Sequence, residues 1–140
     1  MNFDPAIAAR ESFRLVEQSG ELGPDWPAVY DAEETFSASA GEQATSAYLI
    51  LQDFGRRHPD ARALQQFLIY ITWQQVIEHT SPTYFRTGLE LCESYLARWG
   101  HRADTHVAQI SALRASFRAG LGMGLEEPHE YEKDTIKGGD

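Results

Sequence analysis

The chain is poor in the residues that mark secreted, membrane and metal-thiolate proteins. Its 140 residues include one cysteine, Cys92, which excludes an intramolecular disulfide and leaves no thiolate metal cluster. The N-terminus lacks a basic segment followed by an apolar one. No apolar run approaches the length of about 18 residues that a membrane span needs. We therefore expect no secretory signal, no contact with a membrane and a cytoplasmic location.

Positive charge is also scarce, because 12 Lys and Arg stand against 21 Asp and Glu, for a net charge of −9. Residues 1–55 carry ten acids and two bases, and residues 123–140 carry six acids and two bases. Only residues 56–122 have an excess of bases, eight against five acids. Binding to nucleic acid depends on clustered Lys and Arg. The composition therefore predicts no nucleic-acid partner.

The arginines form two groups with two interpretations. Arg56, Arg57 and Arg62 lie around a predicted helix joint, and Arg114 and Arg118 lie one turn apart near the end of the chain. Either group could bind an acidic ligand or a phosphate. The charge balance favours ion pairs with the acidic N-terminal third instead.

Sequence motifs for catalysis and metal binding are missing. Helical di-iron sites need Glu-x-x-His, and the only such pair, Glu126 and His129, surrounds Pro128. His-Glu-x-x-His and Gly-x-Ser-x-Gly are absent. The glycines of Gly120–Gly124 follow a predicted helix, which is typical of a helix end rather than a phosphate loop. We predict no metal and no cofactor, and the catalytic residues, if any, stay unknown.

One segment, Ala63–Ile77, has no charged residue and contains four glutamines. On a helix it presents two apolar faces, the first with Leu64, Phe67, Leu68 and Ile71 and the second with Ile69, Tyr70, Trp73, Val76 and Ile77. A helix that is apolar on two sides must bury both, so we expect it at the centre of a bundle or against a partner. Gln75 lies on the first face. Its amide is expected either to form a core hydrogen bond or to line a cleft or subunit interface.

Turn and capping residues divide the chain into helices. Asp4-Pro5, Asp25, Asp60 and Ser81-Pro82 resemble helix starts, and Gly20 and Gly100 resemble helix ends. The predicted helices are 5–19, 27–36, 42–57, 61–79, 82–99 and 103–119.

We predict an all-α protein, an antiparallel bundle of four long helices with a shorter N-terminal helical arm and a flexible acidic C-terminal tail. One domain spans 1–122, with the arm at 1–41 and the core bundle at 42–122, and the disordered tail is 123–140. The short joints also allow a stack of helical hairpins, but no repeat supports it.

The acidic arm supplies the leading functional hypothesis. Its aromatic and acidic residues either dock on the bundle or form an exposed surface that binds a basic partner. We predict a small interaction module (an adaptor, a chaperone or an immunity-type inhibitor) that binds a basic or amphipathic protein surface. The predicted contact residues are Trp26, Tyr30, Asp31, Glu33 and Glu34.

An alternative is a small helical enzyme or ligand-binding bundle with an internal site. Its pocket would be lined by Tyr70, Trp73, Gln75, Tyr84 and Tyr95. A third hypothesis, compatible with both, is a homodimer formed through Ile69, Trp73 and Val76. No resemblance to a known family supports any of the three.

Overall fold

The computed structural model describes residues 4–122, and this part of the chain is helical, with no strand. The prediction of an all-α fold is confirmed. The six α-helices are α1 (Pro5–Ser19), α2 (Trp26–Ala38), α3 (Gly41–Arg57), α4 (Arg62–Glu78), α5 (Pro82–Trp99) and α6 (Thr105–Gly120), and a 3-10 turn covers Gly23–Asp25. The arrangement as one four-helix antiparallel bundle stays a prediction. The predicted tail, 123–140, lies outside the described residues.

Local capping explains most helix boundaries. The Asp4 side chain accepts a hydrogen bond from the backbone N–H of Ala6, and Ser81 accepts one from Thr83. Gly20 ends α1 with a φ of 67°, a left-handed conformation that favours glycine. Asp104 caps α6 by accepting from the backbone N–H of Val107, so that helix begins at Thr105 rather than at the predicted residue 103.

The predicted cap of α2 is wrong in its chemistry. Asp25 precedes the helix but makes no side-chain capping bond. Its Oδ2 lies 2.7 Å from Nε2 of His58, at the end of α3. This contact joins two segments 33 residues apart and thereby fixes the start of α2 to the end of α3.

The chain forms two compact units, Met1–Gln74 and a second that begins at Gln75. In the first unit α2 and α3 pack together as a helical hairpin across a two-residue joint. The division of residues 1–122 into an arm and a core bundle stays a prediction. The first unit holds α1, α2 and α3 together.

Buried polar side chains join α3 to α4 within the first unit. The Thr72 hydroxyl donates to the backbone oxygen of Leu68 (2.7 Å) and lies 2.6 Å from the Tyr48 hydroxyl. Because threonine has one hydroxyl proton, Tyr48 is the donor in that contact. The Gln65 amide donates to the backbone oxygens of Gly55 and His58, both at 3.0 Å, and so caps the end of α3.

Both apolar faces of α4 are buried along most of its length. Leu64, Phe67, Leu68, Ile69, Tyr70, Ile71 and Val76 are each at most 4% exposed. Ile77 is 61% exposed, so the second face ends before the helix does. Burial of both faces is the arrangement that the charge-free segment predicts.

In the second unit α5 and α6 pack as an antiparallel hairpin with two reciprocal contacts. The Phe117 ring occupies the space where a Cβ on Gly88 would stand, and the Phe85 ring does the same at Gly120. The two glycines therefore let the helices approach closely. Cys92 is fully buried, and burial raises the pKa of its thiol to about 12.

Candidate protein-interaction site

Helix α2 buries one stripe and leaves two others exposed. Val29 and Ala32 are buried, at 0% and 6% exposure. Trp26, Tyr30, Glu33 and Glu34 lie within about 100° of one another on the helix circumference. These four residues are named here the acidic aromatic edge. Asp31 lies about 100° from Tyr30, on the side of α2 that faces α3.

A series of tilted aromatic ring contacts connects the acidic aromatic edge to the core of the first unit. The ring of the buried Phe67 lies 4.9 Å from that of Phe13, which lies 5.1 Å from Trp26. The Trp26 ring lies 5.8 Å from Tyr30. Trp26 is half-buried and Tyr30 is 43% exposed. These contacts thus hold an exposed tyrosine against a fixed support.

Acids surround the Tyr30 hydroxyl. The nearby charge of Glu34 raises the pKa of Tyr30, and desolvation and a hydrogen bond to the Glu34 carboxylate raise it further. Glu17 and Glu33 add smaller effects in the same direction. The hydroxyl therefore stays protonated at neutral pH and remains a hydrogen-bond donor in a negative environment.

The carboxylates of α2 lack basic partners within the described part of the chain. Glu33 accepts a hydrogen bond from the Ser37 hydroxyl at 2.7 Å. Among residues 4–122 no ion pair joins Asp31, Glu33 or Glu34 to an arginine or histidine. The arginines use other acids: Arg57 pairs with Asp53 at 2.9 Å, and Arg114 with Glu93 at 3.3 Å. Arg57 thus pairs with an acid of residues 1–55, whereas for Arg114 the expected pairing with the N-terminal third is wrong.

A groove of about 970 Å³ lies between α2 and α3. It is open to solvent, and small side chains such as Ala28, Ala32 and Ala47 form part of its wall. We call it the α2–α3 groove. Its lining residues are Ala28, Asp31, Ala32, Thr35, Glu42, Gln43, Ser46, Ala47, Leu49, Ile50, Asp53, Phe54 and Arg57.

Two large aliphatic side chains in the α2–α3 groove are partly exposed. Leu49 is 54% exposed and Ile50 is 49% exposed. Neither belongs to the buried apolar stripe of α3, which runs through Ala44, Ala47, Tyr48, Leu51 and Phe54. Sequence reasoning missed both as site residues. The signal that could have identified them is that large apolar side chains occupy positions outside the apolar stripe of an amphipathic helix.

The five predicted contact residues therefore divide between two surfaces. Trp26, Tyr30, Glu33 and Glu34 share the acidic aromatic edge, whereas Asp31 lines the α2–α3 groove with Glu42. Trp26 also contributes to the core through its ring contact with Phe13.

The residues of the predicted internal pocket are mostly buried. Tyr70, Tyr95 and Gln75 are 0%, 1% and 2% exposed, and Trp73 and Tyr84 are half-buried. The structure brings two of them together: the Gln75 amide donates to the Tyr84 hydroxyl at 3.5 Å. Part of the Gln75 hydrogen bonding is therefore satisfied by protein. An internal ligand site stays a prediction.

The predicted homodimer face has little exposed surface. Ile69 and Val76 are 0% and 4% exposed in a single chain, and Trp73 is half-buried. Dimerisation through this face stays a prediction.

Metal and membrane features were also sought in the structure. Residues 4–122 contain no group of three or more His, Cys, Asp or Glu side chains placed to hold a metal ion. Among the helices described, none combines the length and the hydropathy needed to cross a bilayer.

Comparison with protein-family models, with curated proteins and with solved structures gives no match to this chain. Its function is therefore inferred from the geometry described above.

Proposed function

We propose that this protein is a small interaction module that binds a basic or amphipathic protein surface through helix α2. The acidic aromatic edge carries the proposal, because it combines an exposed, supported tyrosine with carboxylates that have no basic partner in residues 4–122. Such a surface suits an adaptor, an assembly chaperone or an immunity-type inhibitor equally well.

Tyr30 has the physical properties of an interface anchor. Tyrosine is enriched among the residues that dominate binding energy, since it offers a large contact area and loses little conformational freedom. The neighbouring Trp26 ring restricts Tyr30 further before any partner binds. An arginine placed over the Tyr30 ring would gain a cation–π contact of about 0.5–2 kcal/mol.

The Glu34 carboxylate provides the second element of recognition. It lies one helical turn from Tyr30, and its charge is the main cause of the raised pKa of the Tyr30 hydroxyl. An arginine on a partner can therefore contact the ring and a carboxylate at once, and arginine–carboxylate pairs are geometrically specific. The excess of acids in residues 1–55 attracts basic partners over a longer range and raises their association rate.

The experiment is site-specific photocrosslinking in the cells that produce the protein. A photoreactive phenylalanine analogue replaces Tyr30 in one variant and Glu90, an exposed residue of α5, in the control. We expect a discrete adduct from position 30, formed with a segment rich in Lys and Arg and weakened by Glu34→Gln. The absence of an adduct, or the same adducts from both positions, would overturn the proposal.

A further inference from the structure

The α2–α3 groove has the length and openness of a site for an extended ligand. Its α3 wall runs from Glu42 to Arg57, which corresponds to about 22 Å of helix. Small molecules are usually enclosed on most of their surface, whereas this groove is open to solvent along one side. A helix of about four turns matches that length and lays one face into such a groove.

The α2–α3 groove also has an apolar centre. Leu49 and Ile50 expose about half of their surface in the same concavity, beside the buried Ala47. Covering two half-exposed aliphatic side chains removes apolar surface from water, which favours association at roughly 25 cal/mol per Å². An amphipathic helix supplies the apolar stripe that would cover them.

Charge within the α2–α3 groove is unevenly distributed. Asp53 is neutralised by Arg56 at 3.6 Å and by Arg57 at 2.9 Å, near the end of α3. Asp31 and Glu42 have no ion pair with a base among residues 4–122. The groove is therefore negative from Glu42, at its end near the α2–α3 joint, to Asp31, near the middle of its α2 wall, and this part complements Lys or Arg on a ligand.

The same charges argue against the chain's own C-terminal segment as the ligand. Residues 123–140 carry six acids and two bases. A segment of net charge −4 is repelled by Asp31 and Glu42 rather than attracted.

We infer that the α2–α3 groove binds an amphipathic helix of a partner protein, with apolar side chains on Leu49 and Ile50 and Lys or Arg side chains near Asp31 and Glu42. This inference rests on the proposed function and specifies the form of the partner. It places the second contact of that partner on a surface separate from the acidic aromatic edge.

The first test measures binding of two synthetic helices to the full chain by fluorescence anisotropy. Each peptide has about 16 residues and an apolar stripe at helical spacing; one carries Lys on its flanks and the other carries Glu. We expect the Lys peptide to bind at least about tenfold more tightly at low salt, and the difference to shrink as salt is added. Equal binding of the two peptides would contradict the inference.

Variants then locate the site. Leu49→Ser with Ile50→Ser should weaken the Lys peptide at least about tenfold. Asp31→Asn with Glu42→Gln, which preserves side-chain shape, should weaken it about threefold to tenfold at low salt. The matched control is Ile7→Ser with Leu15→Ser, because these α1 side chains are similarly exposed at 46% and 44%. A control that weakens binding as much as the groove variants would overturn the assignment.

Two further readouts separate the remaining outcomes. In sedimentation equilibrium we expect the Leu49 and Ile50 variants to have the same oligomeric state as the natural chain. A dimer that these variants abolish would show that a second copy occupies the groove, against the inference. In cells, a photoreactive residue at Ile50 should form an adduct with the same protein as one at Tyr30. Adducts from Tyr30 alone would leave the proposed function standing and refute the groove, whereas adducts from neither position would refute both.

Discussion

Trp26→Ala is predicted to destabilise the protein far more than substitutions of Tyr30, Asp31 or Glu34, three of the other predicted contact residues. The Trp26 ring contacts that of Phe13, which in turn contacts the buried Phe67, so the indole ring lies at the outer end of the core. A core Trp→Ala change costs about 3–5 kcal/mol. Since Trp26 is only half-buried, about half of that loss applies, and we expect about 2 kcal/mol.

Substitutions of the neighbouring contact residues should have much smaller effects on the free energy of unfolding than Trp26→Ala. Glu34→Gln and Asp31→Asn remove exposed carboxylates that pair with no base in residues 4–122, so each should change the free energy of unfolding by less than about 0.5 kcal/mol. Tyr30→Ser should cost about 0.5–1 kcal/mol, because it loses an aromatic contact at a 43% exposed position.

Urea unfolding followed by far-ultraviolet circular dichroism measures these differences without relying on the fluorescence of the substituted tryptophan. If the free energy of unfolding of Trp26→Ala lies within about 0.5 kcal/mol of the natural value, which is the usual size of a surface effect, the aromatic contacts of Trp26 contribute nothing to stability. A loss of about 2 kcal/mol in Glu34→Gln would instead show that this carboxylate is structural, and it would remove the main support for an interaction surface on α2.

Four other predictions concern the second unit and the titrating groups. Gly88→Ala should lower the free energy of unfolding by about 1 kcal/mol, because the added methyl group overlaps the Phe117 ring. An ordinary Gly→Ala change within a helix raises that free energy by about as much. Thermal melting gives the sign of the change, and Phe117→Leu should restore the stability of the variant. Cys92 should not react with a thiol reagent at pH 8 unless the chain unfolds, since burial raises its pKa to about 12. Because the folded state holds the Cys92 proton more tightly than the unfolded state, it has a stability contribution that is complete below the unfolded thiol pKa and is lost as pH rises towards 12. The urea midpoint of the natural chain should therefore fall across this pH interval, and a Cys92→Ala variant should lack this part of the fall. Glu34→Gln should lower the raised pKa of Tyr30 towards its ordinary value, and tyrosinate absorbance would fail to move if Glu34 were not the main cause.

Most helix boundaries were predictable because their causes are local. Asp4 and Ser81 cap helices through backbone groups two residues away, and Gly20 ends α1 through its own positive φ. Such signals lie within a few residues of the feature that they specify. The predicted bounds of α1 and α5, 5–19 and 82–99, accordingly agree with the structure.

The sequence predictions were wrong or incomplete where a side chain makes its contact with a distant segment of the chain. Asp25 has the sequence of a helix cap, yet its carboxylate contacts His58, which packing brings within reach. Gln65 caps α3 across the α3–α4 joint, and no spacing rule assigns an interior glutamine to that role.

The candidate site was only partly predictable for the same reason. The sequence identified α2 as acidic and aromatic, but it did not separate the residues that face α3 from those that face away. That separation depends on which stripe of α2 is buried, and Val29 and Ala32 form a weak stripe in a short helix. The α2–α3 groove is formed by two helices together, so Leu49 and Ile50 could be recognised as site residues only once the packing of α2 against α3 was known.

The reciprocal phenylalanine–glycine contacts of α5 and α6 also determine how the two helices align along their length. In each helix the glycine follows the phenylalanine by three residues, so both rings meet a residue without a side chain in the same alignment. A slip of one helical turn would press the Phe117 ring against a residue that has a Cβ, because the residues one turn from Gly88 on α5 are Tyr84, Phe85, Leu91 and Cys92. The two glycines thus leave space for the rings in one alignment of the helices only. The alignment is specified by steric exclusion of the alternatives rather than by an attractive contact.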